Sequence, residues 1–190
     1  MSSHHFVKED QEPALLLADA TAISFSVIQE LMEWSPTIIV LESTLSTVLT
    51  WGIKIDVVID RQESGNQLLD VLKDQAPVKI LSHSDQDDPL QTAFYFLTAG
   101  KYQAVNVVGV DLRTLEPFSS QLDVVTFNQG KRWLHARNGK FEKWVSQGTK
   151  FDFPEYVKPI GGLDENGYAS SDGIVKAETA FPFWVGEVLL

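Results

Sequence analysis

Acidic side chains follow one short apolar run after another in this 190-residue chain. Asp19 comes after Ala14-Leu15-Leu16-Leu17-Ala18, and Glu42 after Thr37-Ile38-Ile39-Val40-Leu41. Asp60 and Glu63 follow Asp56-Val57-Val58-Ile59. Asp85, Asp87 and Asp88 follow Val78-Lys79-Ile80-Leu81, and Asp111 and Glu116 follow the run 104–110. Carboxylates gathered in one cleft are hard oxygen ligands of the kind Mg2+ takes, commonly one or two of them plus substrate phosphates. An Mg2+-bridged nucleotide is therefore one occupant such a cleft would suit. A plainer account competes with it, because loops are polar and Asp and Ser are favoured caps: Asp88 and Ser64 serve as N-caps, and 85–88 is a solvated turn.

Other chemistries have less support. The sequence has no GxxxxGK[ST] phosphate loop, no GxGxxG and no GxSxG nucleophile elbow. It has no cysteine, which excludes disulfides, thiolate metal sites and a thiol nucleophile. His83 and His135 have no ligand spacing to each other. His83, beside the acidic loop, either titrates or binds phosphate, or is an ordinary loop residue. Trp133, Trp144 and Trp184 either stack on a planar ring or fill the core of a small β unit. His4-His5 reads as a tag remnant or a native polar start, and as neither ligand nor catalyst.

The elements that must position these residues change style along the chain. Up to Val110, short apolar runs alternate with helical periodicity. Helices are expected over 23–34, around Leu45–Leu49, from a Ser64-to-Gln67 capping box, and from Asp88-Pro89 to Gly100. Such alternation predicts a mostly parallel sheet with helices on both faces, whose ligands bind beyond the carboxyl ends of the strands. After Val110 the segments 122–127, 131–136, 141–145, 149–153, 173–177 and 183–189 read as short strands. They are separated by Asn128-Gln129-Gly130, Asn138-Gly139, Gln147-Gly148 and Asp172-Gly173, with Asn138-Gly139 the strongest hairpin signal. The expected fold is α/β: a parallel-sheet, nucleotide-type domain over 1–120, followed by a small antiparallel β-sandwich domain over 121–190.

Charge narrows the partners. Lys+Arg number 15 against 26 Asp+Glu, a net −11, which is ill suited to gripping a nucleic-acid backbone. A free polyphosphate would likewise be repelled unless a divalent cation screened it. No apolar run approaches the roughly 18 residues of a membrane span, and 1–12 is too polar for a signal peptide, so no membrane partner and a cytoplasmic location are expected.

Several stretches resemble thiamine pyrophosphokinases: the opening Ser2-Ser3-His4-His5 through Gln11-Glu12-Pro13-Ala14-Leu15-Leu16, then Glu33-Trp34-Ser35-Pro36, Gly52-Ile53-Lys54-Ile55-Asp56-Val57-Val58, and Phe141-Glu142-Lys143-Trp144. The resemblance implies an α/β nucleotide domain followed by a β-sandwich, used as a homodimer through the C-terminal β domain. It also implies Mg2+-dependent transfer of a diphosphate from ATP to thiamine, releasing AMP. Carried over by position, Glu42, Asp60, Glu63, Asp85 and Asp88 would hold Mg2+, with Glu63, Asp85 and Asp88 catalytic. Arg61, Arg113 and Glu116 would attend the ATP phosphates.

Departures from the family pattern accompany these matches. Glu42-Ser43 stands where the family has Asp-Gly, and Asp60-Arg61-Gln62-Glu63 where it has Gly-Asp-x-Asp, so a guanidinium replaces a carboxylate. Pro117 replaces a histidine after Glu116, and only 158–171 fills a longer family segment near the thiamine ring. Reversing one charge beside a cation matters, because each unit pair is worth ~4 kcal/mol at ~4 Å and an effective dielectric of about 20. Arg61 would weaken the metal unless it turns away or Asp60 takes over, or it would clamp a phosphate itself. Two further readings therefore stand beside the active enzyme: a noncatalytic relative that binds a nucleotide or another small ligand, and an enzyme acting on a different alcohol.

Overall fold

The computed structural model describes residues 12–61, 65–84 and 86–189. His4, His5, Glu63, Ser64 and Asp85 lie outside them. Strands β1 (Ala14–Leu17), β2 (Ile38–Leu41), β3 (Val57–Arg61), β4 (Lys79–His83) and β5 (Ala104–Val108) alternate with helices α1 (Phe25–Met32), α2 (Glu42–Leu49), α3 (Gly65–Val71) and α4 (Pro89–Ala99). A four-residue α5 (Leu112–Leu115) follows β5. The chain continues through β6 (Asp123–Asn128), β7 (Lys131–Ala136), β8 (Lys140–Val145), β9 (Phe151–Asp152), β10 (Pro159–Gly161), β11 (Gly173–Glu178) and β12 (Phe183–Val188).

One sheet of nine strands runs in the order β4-β3-β2-β1-β5-β6-β7-β12-β9, and a second of three in the order β10-β11-β8. β4 through β6 are mutually parallel. Their side chains divide between two cores. Ala14 and Leu16 face α4 residues Leu90, Ala93, Phe94 and Leu97, while Leu15 and Leu17 share a core with Ile28 and with Leu45 and Val48. Both faces are buried, which is why these strands read as continuous apolar runs. A third core, with Ala136, Phe141, Phe151, Val175 and Phe183, joins the three-stranded sheet to the far end of the large one as a sandwich.

The architecture is the expected α/β with a sandwich, and three details differ. β6 pairs parallel with β5, not as part of an antiparallel tail, because α5 sits in the connection and returns the chain to the same end of the sheet. The Asn138-Gly139 turn closes no hairpin: β7 pairs with β6 and β12, and β8 pairs with β11. Its tight backbone, with Gly139 at φ +68°, is instead a corner between the sheets, and the Gly139 carbonyl accepts from Thr179 N–H at the matching β11–β12 corner. A turn signal specifies local geometry, whereas the partners of the flanking strands are chosen by the cores. The hairpin falls at Asn128-Gln129-Gly130, where Gln129 and Gly130 both have positive φ. Finally, α2 begins at Glu42 with no loop after β2, earlier than the apolar positions Leu45 and Val48 suggest.

Candidate functional site

Strand order reverses between β1 and β5, so their carboxyl ends form the switch point where open α/β sheets commonly bind ligands. Here the two turns press together. Ala18 and Asp19 N–H both donate to the Val108 carbonyl, at 3.0 and 3.1 Å, and Gly109 lies against Asp19. The Asp19 carboxylate is used locally, accepting from Thr21 N–H (2.8 Å) and Thr21 Oγ1 (2.7 Å).

The remaining edge residues separate into two clefts. Beyond β2, β3 and β4 lies a cleft of about 280 Å3 lined by Glu42, Arg61, His83 and Asp87. Glu42 opens α2 and Arg61 ends β3, so the parallel register brings both to one rim. His83 is buried, and its Nδ1 lies 2.9 Å from the Ser84 carbonyl, which assigns the proton to Nδ1. Asp87 accepts from Ser84 Oγ at 2.7 Å.

The acids expected to gather here do not form a cation site among the described residues. Asp60 is only 3% exposed within β3. Asp88 caps α4, its Oδ1 accepting from Leu90 N–H at 2.8 Å, as the Asp-Pro pair predicts. No group of three or more Asp, Glu or His side chains placed to hold a metal occurs among the described residues. Glu42, Asp60 and Asp88 therefore do not fit an Mg2+ ion by themselves, and Glu63 and Asp85 lie outside the described residues. Convergence of these carboxylates was an expectation drawn from strand ends alone, and capping and burial have claimed several of the groups.

Beyond β5 and β6 a larger cleft, about 600 Å3, is lined by Asp111, Arg113, Glu116, Trp133, Tyr156 and Trp184. Asp111 caps α5 through Arg113 N–H (2.9 Å), which holds the Arg113–Glu116 segment at the rim. The opposite wall is the face of β7 and β12. Trp133 pairs with Gly186, where an added Cβ would come within 2.8–3.0 Å of the indole, so the ring lies flat across the glycine. His135 pairs with Trp184 and stacks on it at 4.5 Å between ring centroids.

An adjoining cavity of about 520 Å3 shares Glu116, Tyr156 and Trp184 and adds His135 and Arg137. Arg137 is tied down by Asp123 (2.6 Å) and the Ser120 carbonyl (2.7 Å). Burial, and then the Arg137 charge, push the His135 pKa below its ordinary value against the opposing pull of Glu116 and Asp123. His135 Nδ1 is buried with no hydrogen-bond partner among the described residues.

The sequence-expected residues are thus split. Glu42 and Arg61 share one cleft, Arg113 and Glu116 the other, and Asp60 and Asp88 line neither. Tyr156 and Arg137 are absent from the sequence expectations, and His135 enters them only as a histidine without ligand spacing. The alternation of Trp133 and His135 on β7 with Arg137 just beyond its end is the signal for the last two, since i, i+2 and i+4 share a strand face. Of the tryptophans, Trp184 is buried, Trp133 lines the cleft and Trp144 is exposed on β8. An aromatic platform facing an arginine and a carboxylate is equipped to hold a planar, polar-edged ring.

No helix among the described residues is long and apolar enough to cross a membrane. No family model matches the chain. No curated protein matches it in sequence. Solved structures do match in shape. Thiamine pyrophosphokinase from Bacillus subtilis superposes with a TM-score of 0.67 at 8% identity, covering 94% of this chain and 98% of that one. Yeast thiamin pyrophosphokinase gives 0.68 at 8% identity, covering 98% and 88%. A probable thiamine pyrophosphokinase from Staphylococcus saprophyticus gives 0.61 at 12% identity, covering 94% and 99%. Along nearly its whole length, the chain has the fold of the thiamine pyrophosphokinases.

Proposed function

We propose that this chain is a noncatalytic relative of thiamine pyrophosphokinases that binds a small ligand bearing a planar ring, in the cleft between Arg113–Glu116 and the aromatic wall. The observation that supports this reading is the Trp133–Trp184–Tyr156 surface facing Arg113 and Glu116 across about 600 Å3, a volume typical of small-molecule sites. A cationic ring such as the thiazolium of thiamine would gain from both the aromatic faces and the Glu116 carboxylate. The described acids do not supply a divalent-cation site, which favours binding over Mg2+-dependent transfer.

Thiamine added to the protein, without ATP, is expected to raise the melting temperature with a saturating dose dependence. Absence of any shift at millimolar thiamine would reject the cleft as its site. The protein is further proposed to act in the cytoplasm and as a homodimer through the C-terminal β strands.

A second reading is the active enzyme, which makes thiamine diphosphate and AMP from thiamine and ATP with Mg2+. The observation in its favour is the likeness to enzymes of that name over more than nine tenths of this chain. Under that reading Arg61, Arg113 and Glu116 attend the phosphates, and Glu63 and Asp85 complete the cation site with Glu42, Asp60 and Asp88. Phosphoryl-type transfer depends on charge neutralisation and positioning, so an intact cation site is its first requirement.

A further inference from the structure

A cavity of about 560 Å3 on the α1 side of the large sheet reaches the amino ends of β1 and β2, where Pro13 and Pro36 line it, and shares no residue with the clefts described above. Asn106 is the lining residue that packing does not explain. It stands in β5 between Leu15 of β1 and Val125 of β6, on the face that builds the α1 core. Val105 and Val107 belong to the opposite core. A half-buried amide among apolar neighbours costs free energy unless it is hydrogen-bonded, yet this side chain makes no hydrogen bond with any described residue. Trp34 lines the same cavity, 72% exposed and with no ring or cation against it among the described residues. The turn that carries it is held, since Ser35 N–H donates to the Met32 carbonyl at 2.9 Å and Pro36 is buried. Glu12 and Glu30 add two carboxylates that pair with no described residue. The lining cation, Arg132, is engaged by Glu187 at 2.6 Å. Even with Lys143 on the same Glu187, the neighbourhood stays net negative. An exposed indole beside uncompensated carboxylates attracts an organic cation, and the amide offers it both a donor and an acceptor.

We infer that this cavity binds a small organic cation of the amino-alcohol class, its charged end against Trp34 and the Glu12 and Glu30 carboxylates and its hydroxyl on the Asn106 amide. Charge is what selects it. A neutral molecule of the same shape would bury the same area and forfeit the attraction to indole and carboxylates. The inference is independent of the aromatic cleft beyond β5 and β6, so either can fail while the other holds.

The test is titration calorimetry of the full chain with choline at fixed ionic strength, beside its neutral carbon isostere dimethylbutanol. Saturable choline binding is expected, roughly tenfold tighter than that of the isostere. Trp34→Ala should weaken choline severalfold and, because the indole is exposed, leave the melting temperature nearly unchanged. Glu30→Gln should weaken it too and flatten its dependence on salt. Asn106→Val should weaken choline while holding or raising the melting temperature, whereas an asparagine kept only for the fold would lower the melting temperature and spare the affinity. Trp133→Ala should leave choline unchanged, and Trp34→Ala should leave thiamine unchanged, which separates this cavity from the aromatic cleft. The inference is overturned if choline does not bind, if the isostere binds as well, or if Trp34→Ala or Asn106→Val binds choline as the parent does. Loss of choline binding in Trp133→Ala would equally overturn it, by placing the cation in the other cleft.

Discussion

Gly109 and Asp19 meet where the strand order reverses: a Cβ at 109 would fall 2.4 Å from the Asp19 Cβ and 2.8 Å from its backbone nitrogen and oxygen. Gly109 also has φ +82°, in the region that favours glycine. Gly109→Ala therefore adds backbone strain to a clash with main chain that cannot swing aside. It is expected to lower stability by about 2–5 kcal/mol, seen as a reduced urea midpoint with little change in slope. An unchanged midpoint would mean that the turns after β1 and β5 are not pressed together.

Glu187 on β12 links the two sheets. It accepts from Arg132 of β7 at 2.6 Å and from Lys143 of β8 at 2.5 Å. Burial works to raise its pKa, but hydrogen bonds from Lys143 and Arg132, together with their charges, hold it below the ordinary 4.5. A depressed carboxylate contributes stability that is fully present above its unfolded value and is lost as pH falls through the folded value. Glu187→Gln should cost about 1–3 kcal/mol at neutral pH, below the roughly 3–5 kcal/mol of a fully buried pair because both cations reach solvent. The variant should also show a flatter loss of melting temperature below pH 4.5 than the parent.

His135 acts in a separate window. Its pKa is lowered by burial and by Arg137, so the unfolded chain takes the proton first. Stability should be full above about 6.5 and decline as pH drops from there toward the folded value. His135→Phe keeps a ring against Trp184 and removes the titration, so melting temperatures measured from pH 7.5 to 5 should lose that slope. A slope that persists in the variant would assign it to another group.

Gly186 supports the indole of Trp133. Gly186→Ala is expected to lift the ring off β12 and weaken thiamine binding severalfold, as Trp133→Ala should, since stacking contacts are worth about 0.5–1.5 kcal/mol beyond burial. Trp184→Ala, by contrast, removes a buried side chain and should cost about 3–5 kcal/mol of stability. Equal thiamine affinity in Gly186→Ala, Trp133→Ala and the parent would place the ligand elsewhere.

What the sequence made legible follows from what is local. Continuous apolar runs such as Leu15–Leu17 announced strands buried on both faces, and Asp88-Pro89 announced the start of α4. The parallel placement of β6 was hidden because it depends on the crossover through α5, and Asn138-Gly139 misled because a tight turn does not choose its strands' partners. Site residues suffered more. Acids at strand ends looked convergent in one dimension, but Asp88 and Asp111 are spent on helix caps, Asp19 on Thr21 and Asp87 on Ser84. Trp133, His135 and Trp184 assemble only when β7 meets β12, a pairing between residues about fifty positions apart.

The proposed function is ring binding without transfer. The most direct measurement incubates the full chain at near-stoichiometric concentration with ATP, Mg2+ and thiamine, and follows AMP and thiamine diphosphate by chromatography while thiamine binding is read by calorimetry. Saturable thiamine binding with no AMP above a protein-free control is predicted. Mg2+-dependent AMP formed in step with thiamine diphosphate, and proportional to protein, would contradict it.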